Sequence, residues 1–262
     1  MKCNFLSEDF AKKLTTVMAS KAKQSLTYLH TDIIGNLAKT GNWFANLTED
    51  HEKFSAIVAK TNHLSIDMCL YQNAGATMVQ QLAYSLAHAN EYLNYIDNNK
   101  TLKTLFSQTE NSRSEQPLQI TFNVAVGSNY FFEISKLRAL RELWATLVSE
   151  YGIHEECRII ATPSKRNKTI YDYNINMLRT TTECMSAVLG GANIICNLPY
   201  DSLYHKPNEF GDRISRNQLL VLKQESYFDK VNNPADGAYY IESLSEQLSE
   251  KALDLFKNIE AN

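Results

Sequence analysis

Polar side chains follow each of five predicted strands, which is where a parallel α/β sheet of the barrel type carries its chemistry. They are Thr31, Asp32 and Asn36; Tyr71, Gln72 and Asn73; Gly127, Ser128 and Asn129; Ser164, Lys165 and Arg166; and Asn197, Tyr200 and Asp201. Amides can orient a polar substrate, and carboxylates can exchange a proton with it. The pattern therefore predicts a substrate site drawn from Asp32, Gln72, Asn73, Asn129, Asn197 and Asp201.

The same residue types have a second, structural use. Asp, Asn and Ser are the preferred caps of helix N-termini and the preferred residues of loops. The strand ends hold no histidine, the usual acid–base group, and their only cysteine is Cys196 at the edge. Two interpretations follow: caps and loop anchors, or a carboxylate-based site that uses Asp32 or Asp201.

Metal-binding and nucleotide-binding motifs do not occur in the sequence. The six histidines are never three or four residues apart, the spacing that would bring two ligands to one helical face. Gly190 and Gly191 form an isolated pair, and there is no glycine-rich phosphate loop or Gly-x-Ser-x-Gly elbow. The spacing of the histidines does not exclude a metal site assembled from residues on distant strands.

Composition excludes several classes of protein. The 262 residues carry 26 Lys and Arg against 29 Asp and Glu, a net charge of −3, without the basic excess of a nucleic-acid binder. No run approaches the ~18 apolar residues of a membrane helix. The five cysteines are odd in number and widely spaced, which is typical of a reducing compartment, and we expect a cytoplasmic protein.

Hydrophobic periodicity predicts strands alternating with helices, and hence a parallel sheet covered by helices. The strands are expected at Leu26–His30, Leu64–Tyr71, Leu118–Val126, Arg158–Ala161 and Asn193–Cys196. The main helices are expected at Ser7–Ser20, from Thr48, at Ala74–Ile96, Asn129–Val148, Thr169–Leu189, Glu209–Gln224, and at 242–260 with a capping box of Ser243 and Glu246.

Five strand–helix units predict a partial (β/α) barrel of the TIM type, with a complete (β/α)8 barrel as the alternative. Residues 1–262 would form a single domain, in which 97–117 is a polar surface connection. A partial barrel leaves two open parallel edges, which its own helices, a second copy or a partner must cover.

Five separated segments resemble the cobalamin-dependent methylmalonyl-CoA mutases, in that family's order. They are QNAGATMVQQLAYSLAHANEYL from Gln72, GSNYFFEISKLRALRELWATL from Gly127, RTTTECMSAVLGGAN from Arg179, DRISRNQLLVLKQES from Asp212 and NPADGAYYIESLSEQLSEKA from Asn233. The resemblance implies a barrel fold. It also implies isomerisation of methylmalonyl-CoA and succinyl-CoA, in propionate metabolism, by a complex that uses adenosylcobalamin.

The sequence departs from the catalytic chains of that family. Where those chains have histidines at three strand ends, this one has Leu70, Cys196 and no histidine from Arg158 to Ser164. The Asp-x-His-x-x-Gly motif of the lower cobalt ligand is missing, and we expect no cobalamin domain. GNLAKTGNWF and SKRNKTIYDYN are similar to loops of the small subunit.

The resemblance thus implies a small subunit without catalytic residues, without a bound cofactor and without a metal. Adenosylcobalamin would be held by a large catalytic partner in a heterodimer that the small subunit stabilises. The alternative is a stand-alone acyl-CoA-binding module or enzyme that uses the strand-end acids and amides.

Overall fold

A computed structural model describes residues 6–13, 30–100, 102–103, 118–152 and 156–261. Residues 8–13 are helical, in agreement with the start of the first predicted helix. The first predicted strand lies outside the described residues except for His30, which forms a single β-bridge. Most of the predicted connection at 97–117 also lies outside them.

Four parallel strands form one sheet in the order β1-β2-β3-β4, which is sequence order. They are β1 His63–Asp67, β2 Gln119–Val126, β3 Arg158–Pro163 and β4 Ile194–Ile195. Ile160 and Ala161 of β3 lie in register with Ile194 and Ile195 of β4. Within the described residues the sheet is open, so the parallel α/β class with a partial barrel is confirmed, and the complete barrel is not formed there.

Helices separate the strands. They are α1 Ile33–Thr40, α2 Leu47–Thr61, α3 Cys69–Ala74, α4 Met78–Asn98, α5 Tyr130–Glu150, α6 Ile175–Leu189, α7 Glu209–Gln224 and α8 Tyr239–Glu260. Local chemistry fixes several of their ends: Asn46 caps α2 and Asn208 caps α7 through side-chain oxygens that accept a backbone N–H.

Four predicted boundaries were wrong by three residues or more, and one is the start of the long helix α4, which begins at Met78 rather than Ala74. β1 ends at Asp67 rather than Tyr71, because the chain bends at Met68 into α3. α6 begins at Ile175 rather than Thr169, because the residues before it form turns. The side-chain amide of Asn176 stabilises these turns: it accepts the N–H of Thr169 and donates to the Thr169 carbonyl.

The last helix begins at Tyr239, so Ser243 lies inside it and forms no capping box. The carboxylate of Glu242 accepts the N–H of Gly237 at 3.2 Å instead, which satisfies a donor just before the helix.

The residues cluster into two compact units that interleave along the chain. The first comprises Met1–Asp67, His88–Phe122 and Ala145–Cys157. In its core the rings of Phe54 and Tyr92 stack with centroids 4.8 Å apart. The second comprises Met68–Ala87, Asn123–Trp144 and Arg158–Asn262, and Ile134, Ala235 and Ile241 pack together in one of its clusters.

Candidate functional site

Asp32 is a buried structural acid. Its side chain is 3% exposed, and it caps α1 by accepting the Gly35 N–H at 2.6 Å. It also accepts the Asp67 N–H at 2.8 Å and the Tyr92 hydroxyl at 2.8 Å, and its Oδ1 lies 2.9 Å from His88 Nε2. The structure therefore supports the capping interpretation for this residue.

The charge state of Asp32 follows from these contacts. Burial raises the pKa of the carboxyl, but the charge and hydrogen bond of His88, the charge of His30 and the Gly35 N–H lower it more. The net result is a pKa of about 2, below the ordinary 3.8. Asp32 thus stays ionised and cannot serve as a proton donor near neutral pH.

Asp201 also forms hydrogen bonds within the protein. Its buried carboxylate accepts the side-chain amide of Asn208 at 2.6 Å, and Asn208 in turn caps α7 by accepting the Gly211 N–H at 2.8 Å. A Cβ at position 211 would stand 2.6 Å from Asp201 Oδ1, so only glycine permits this approach. Asp201 therefore anchors the loop that leads into α7.

Asn197 and Asn73, two amides of the predicted set, are in different environments. The side chain of Asn197 donates to the Ser215 carbonyl at 2.9 Å and to Gln218 Oε1 at 2.8 Å, which ties the end of β4 to α7. Asn73 is exposed on α3. Neither residue lines the pocket described next.

A pocket of about 330 Å³ lies in the second unit, where β2 and β3 end. Small-molecule sites usually begin at this size. Of the predicted residues, Gln72 and Asn129 line it. The others are Ala76, Thr77, Met78, Gln81, Gly127, Ser128, Glu133, Arg166 and Asn167.

A buried ion pair forms the floor of this pocket. Lys136 Nζ lies 2.5 Å from Glu133 Oε2, one turn earlier on α5, and both side chains are almost fully buried. The same ammonium donates to the Ala125 carbonyl at 2.8 Å and to Gln81 Oε1 at 3.1 Å. The ammonium thus makes two hydrogen bonds to neutral oxygens, and the carboxylate of Glu133 balances its charge, as a buried ammonium requires.

A second buried pair, Lys168 and Glu183, lies in the same unit. Their charged atoms are 2.5 Å apart, and the Asn167 amide also donates to Glu183. Burial raises the pKa of Glu183 and lowers that of Lys168, and in each case the partner's charge opposes the shift. The pair therefore fixes Asn167 at the pocket wall.

Sequence reasoning missed Glu133, Gln81 and Lys136. They lie inside helices, where a polar residue usually belongs to the solvent-facing side of the 3.6-residue apolar pattern. The one available signal was the Glu-x-x-Lys spacing on α5, which more often marks an exposed pair.

Two further properties bear on the type of site. Among the described residues, no group of three or more His, Cys, Asp and Glu side chains is arranged to hold a metal ion. None of the described helices is long and apolar enough to cross a membrane.

The open parallel sheet with polar strand ends defines an α/β protein of the partial TIM-barrel type. The model of one family, methylmalonyl-CoA mutase, matches residues 19–262, and the chain belongs to that family.

Relatives within the family include both kinds of subunit. The chain is 40% identical to the methylmalonyl-CoA mutase small subunit of Porphyromonas gingivalis over 206 residues, which is 75% of this chain and 31% of the relative. It is 34% identical to the small subunit of Streptomyces virginiae over 238 residues, which is 88% of this chain and 37% of the relative. It is 32% identical to the large subunit of P. gingivalis over 213 residues, which is 80% of this chain and 28% of the relative. The chain thus spans about a third of the length of these relatives.

Proposed function

We propose that the chain acts as part of a small, non-catalytic subunit of an adenosylcobalamin-dependent methylmalonyl-CoA mutase. In this proposal it pairs with a large catalytic subunit in the cytoplasm and stabilises it, and the complex interconverts methylmalonyl-CoA and succinyl-CoA. The observation that carries the proposal is the comparison within one organism: identity is 40% to the small subunit of P. gingivalis and 32% to its large subunit.

The strand ends support the same proposal. By resemblance, the positions that hold histidines in catalytic chains hold Leu70 and Cys196 here, and β3 is followed by Ser164. Among the described histidines, His88 is bonded to Asp32 and His63 opens β1 at its amino end. None of the six histidines has the Asp-x-His-x-x-Gly context of the lower ligand to cobalt. Radical chemistry needs a cofactor, so we assign the chemistry to the partner.

The alternative, an acyl-CoA enzyme that uses the strand-end acids, has less support. It needs Asp32 or Asp201 to meet a substrate, yet both carboxylates are buried and hydrogen-bonded within the protein. Freeing either one would leave buried donors without partners, at a cost of about 1–3 kcal/mol for each.

The effect on the partner tests the proposal. The chain alone, supplied with adenosylcobalamin and methylmalonyl-CoA, should give no turnover above the blank. Added to the large subunit of its own organism, it should raise that subunit's thermal midpoint, because a ligand that binds only the folded state stabilises it by about 3 kcal/mol at a hundredfold excess over Kd. Heat-denatured chain is the control. Turnover by the chain alone, or an unchanged midpoint, would contradict the proposal.

A further inference from the structure

The floor of the pocket in the second unit carries a carboxylate that accepts no hydrogen bond from the described residues. Oε2 of Glu133 forms an ion pair with Lys136 at 2.5 Å but has no hydrogen-bond partner, and no described residue donates to Oε1, which faces Gly127. An ionised carboxylate only accepts hydrogen bonds. A ligand at this floor must therefore bring a donor, such as a hydroxyl or an ammonium group.

A buried amide faces the same space. Gln72 is 8% exposed, and its Oε1 accepts the Ser164 hydroxyl at 2.9 Å. This fixes Nε2 as the end directed to the pocket, where no described residue accepts from it. Because this donor faces the pocket, a ligand acceptor there would take the place of water.

Gly127 keeps the space between these two groups open. A Cβ at this position would stand 3.1 Å from Glu133 Oε1 and 3.5 Å from Gln72 Nε2. The backbone of Gly127 is outside the left-handed region. The backbone conformation does not require glycine here. We therefore infer that glycine is present because a side chain would fill the space between Glu133 and Gln72.

Arg166 supplies a positive charge at the rim. Its backbone N–H donates to Ser164 Oγ at 3.1 Å, but among the described residues no carboxylate lies within ion-pair distance of its guanidinium. A guanidinium recognises a planar carboxylate with two parallel hydrogen bonds. Ala76 and Met78 add an apolar wall.

We propose that this pocket binds a small carboxylic acid that carries a hydroxyl or ammonium group beside the carboxylate. The carboxylate would pair with Arg166 and accept from Gln72 Nε2, and the donor would meet Glu133 Oε1. A phosphomonoester dianion suits the site poorly, because it adds charge next to Glu133 and its phosphoryl group brings no donor. The inference concerns the chain by itself and is independent of its pairing with a large subunit.

Lactate, free L-alanine and propionate form a matched set that differs only in a hydroxyl, an ammonium or a hydrogen beside the carboxylate. We expect ligand-detected NMR on the full chain to show lactate or alanine binding with a Kd of about 1 mM, and propionate about tenfold weaker. Whichever of the first two binds more tightly identifies the donor. Equal binding of all three, or binding of none, would overturn the proposal.

Two variants locate the binding. Arg166→Gln removes an exposed charge, and Gly127→Ala fills the space between Glu133 and Gln72 without changing any charge. Each substitution should raise the Kd of the more tightly bound ligand about tenfold. Lys165→Gln, an exposed neighbour that does not line the pocket, is the control and should leave the Kd unchanged. Unchanged affinity in both test variants would place binding elsewhere and refute the site.

Discussion

Replacing Lys136 with methionine is expected to lower the free energy of unfolding by about 3–5 kcal/mol, because it leaves the charge of Glu133 buried without its partner. Methionine matches the length of lysine but carries no charge to pair with Glu133, and it cannot donate to the Ala125 carbonyl or to Gln81 Oε1. Urea unfolding followed by circular dichroism measures the change.

The control is the same substitution in an exposed pair. Lys53 lies 2.5 Å from Glu49 on the surface of α2, and Lys53→Met should leave the urea midpoint nearly unchanged. The double variant Lys136→Met/Glu133→Gln should recover part of the loss, since it removes the stranded charge as well. If Lys136→Met behaves like Lys53→Met, the pair is not a structural anchor of the pocket.

Asp32→Ala is expected to cost a similar amount, about 3–5 kcal/mol. The substitution removes a helix cap and leaves the N–H groups of Gly35 and Asp67 and the hydroxyl of Tyr92 without their common acceptor. Asp254→Ala, at an exposed position on α8, is the control. A loss below about 1 kcal/mol for Asp32→Ala would show that these bonds are replaced by water.

The pH dependence of stability reports the same carboxylate. Its folded pKa of about 2 lies below the ordinary 3.8, so ionised Asp32 stabilises the folded state. That contribution, roughly 2 kcal/mol, is present above about pH 4 and is lost as the pH falls towards 2. The stability gap between the protein and its Asp32→Asn variant should therefore narrow over this range. A gap that stays constant would contradict the assignment.

Periodicity was sufficient for most of the fold. The helix Glu209–Gln224 was predicted with both of its ends, and β2 was predicted within one residue. Each element has clear apolar spacing and is bounded by a polar loop. β1 was overextended because Met68 and Leu70 continue its alternation, and only packing decides that the chain bends there into α3.

The candidate site was predicted less completely, for a physical reason. Gln72 and Asn129 were found because they follow strands, and strand ends meet at one edge of a sheet. The role of Asp32 depends on His88 and Tyr92, which lie 56 and 60 residues away in the sequence. Likewise the burial of Lys136 is a product of tertiary packing, and local sequence favours an exposed lysine.

The family was identifiable from sequence because five blocks agree in order, and the match over residues 19–262 confirms it. The departures at Leu70 and Cys196 are what direct the proposal to a small subunit. Each departure is a single residue, so it can be recognised only after the neighbouring segments have been aligned with the family.

Sedimentation velocity of the chain mixed with the large mutase subunit of its own organism shows whether the two proteins form a complex. At micromolar concentrations of both, we expect a new boundary with the mass of a one-to-one heterodimer and the loss of the free chain. Two independent boundaries, unchanged from those of the separate proteins, would refute the proposed pairing.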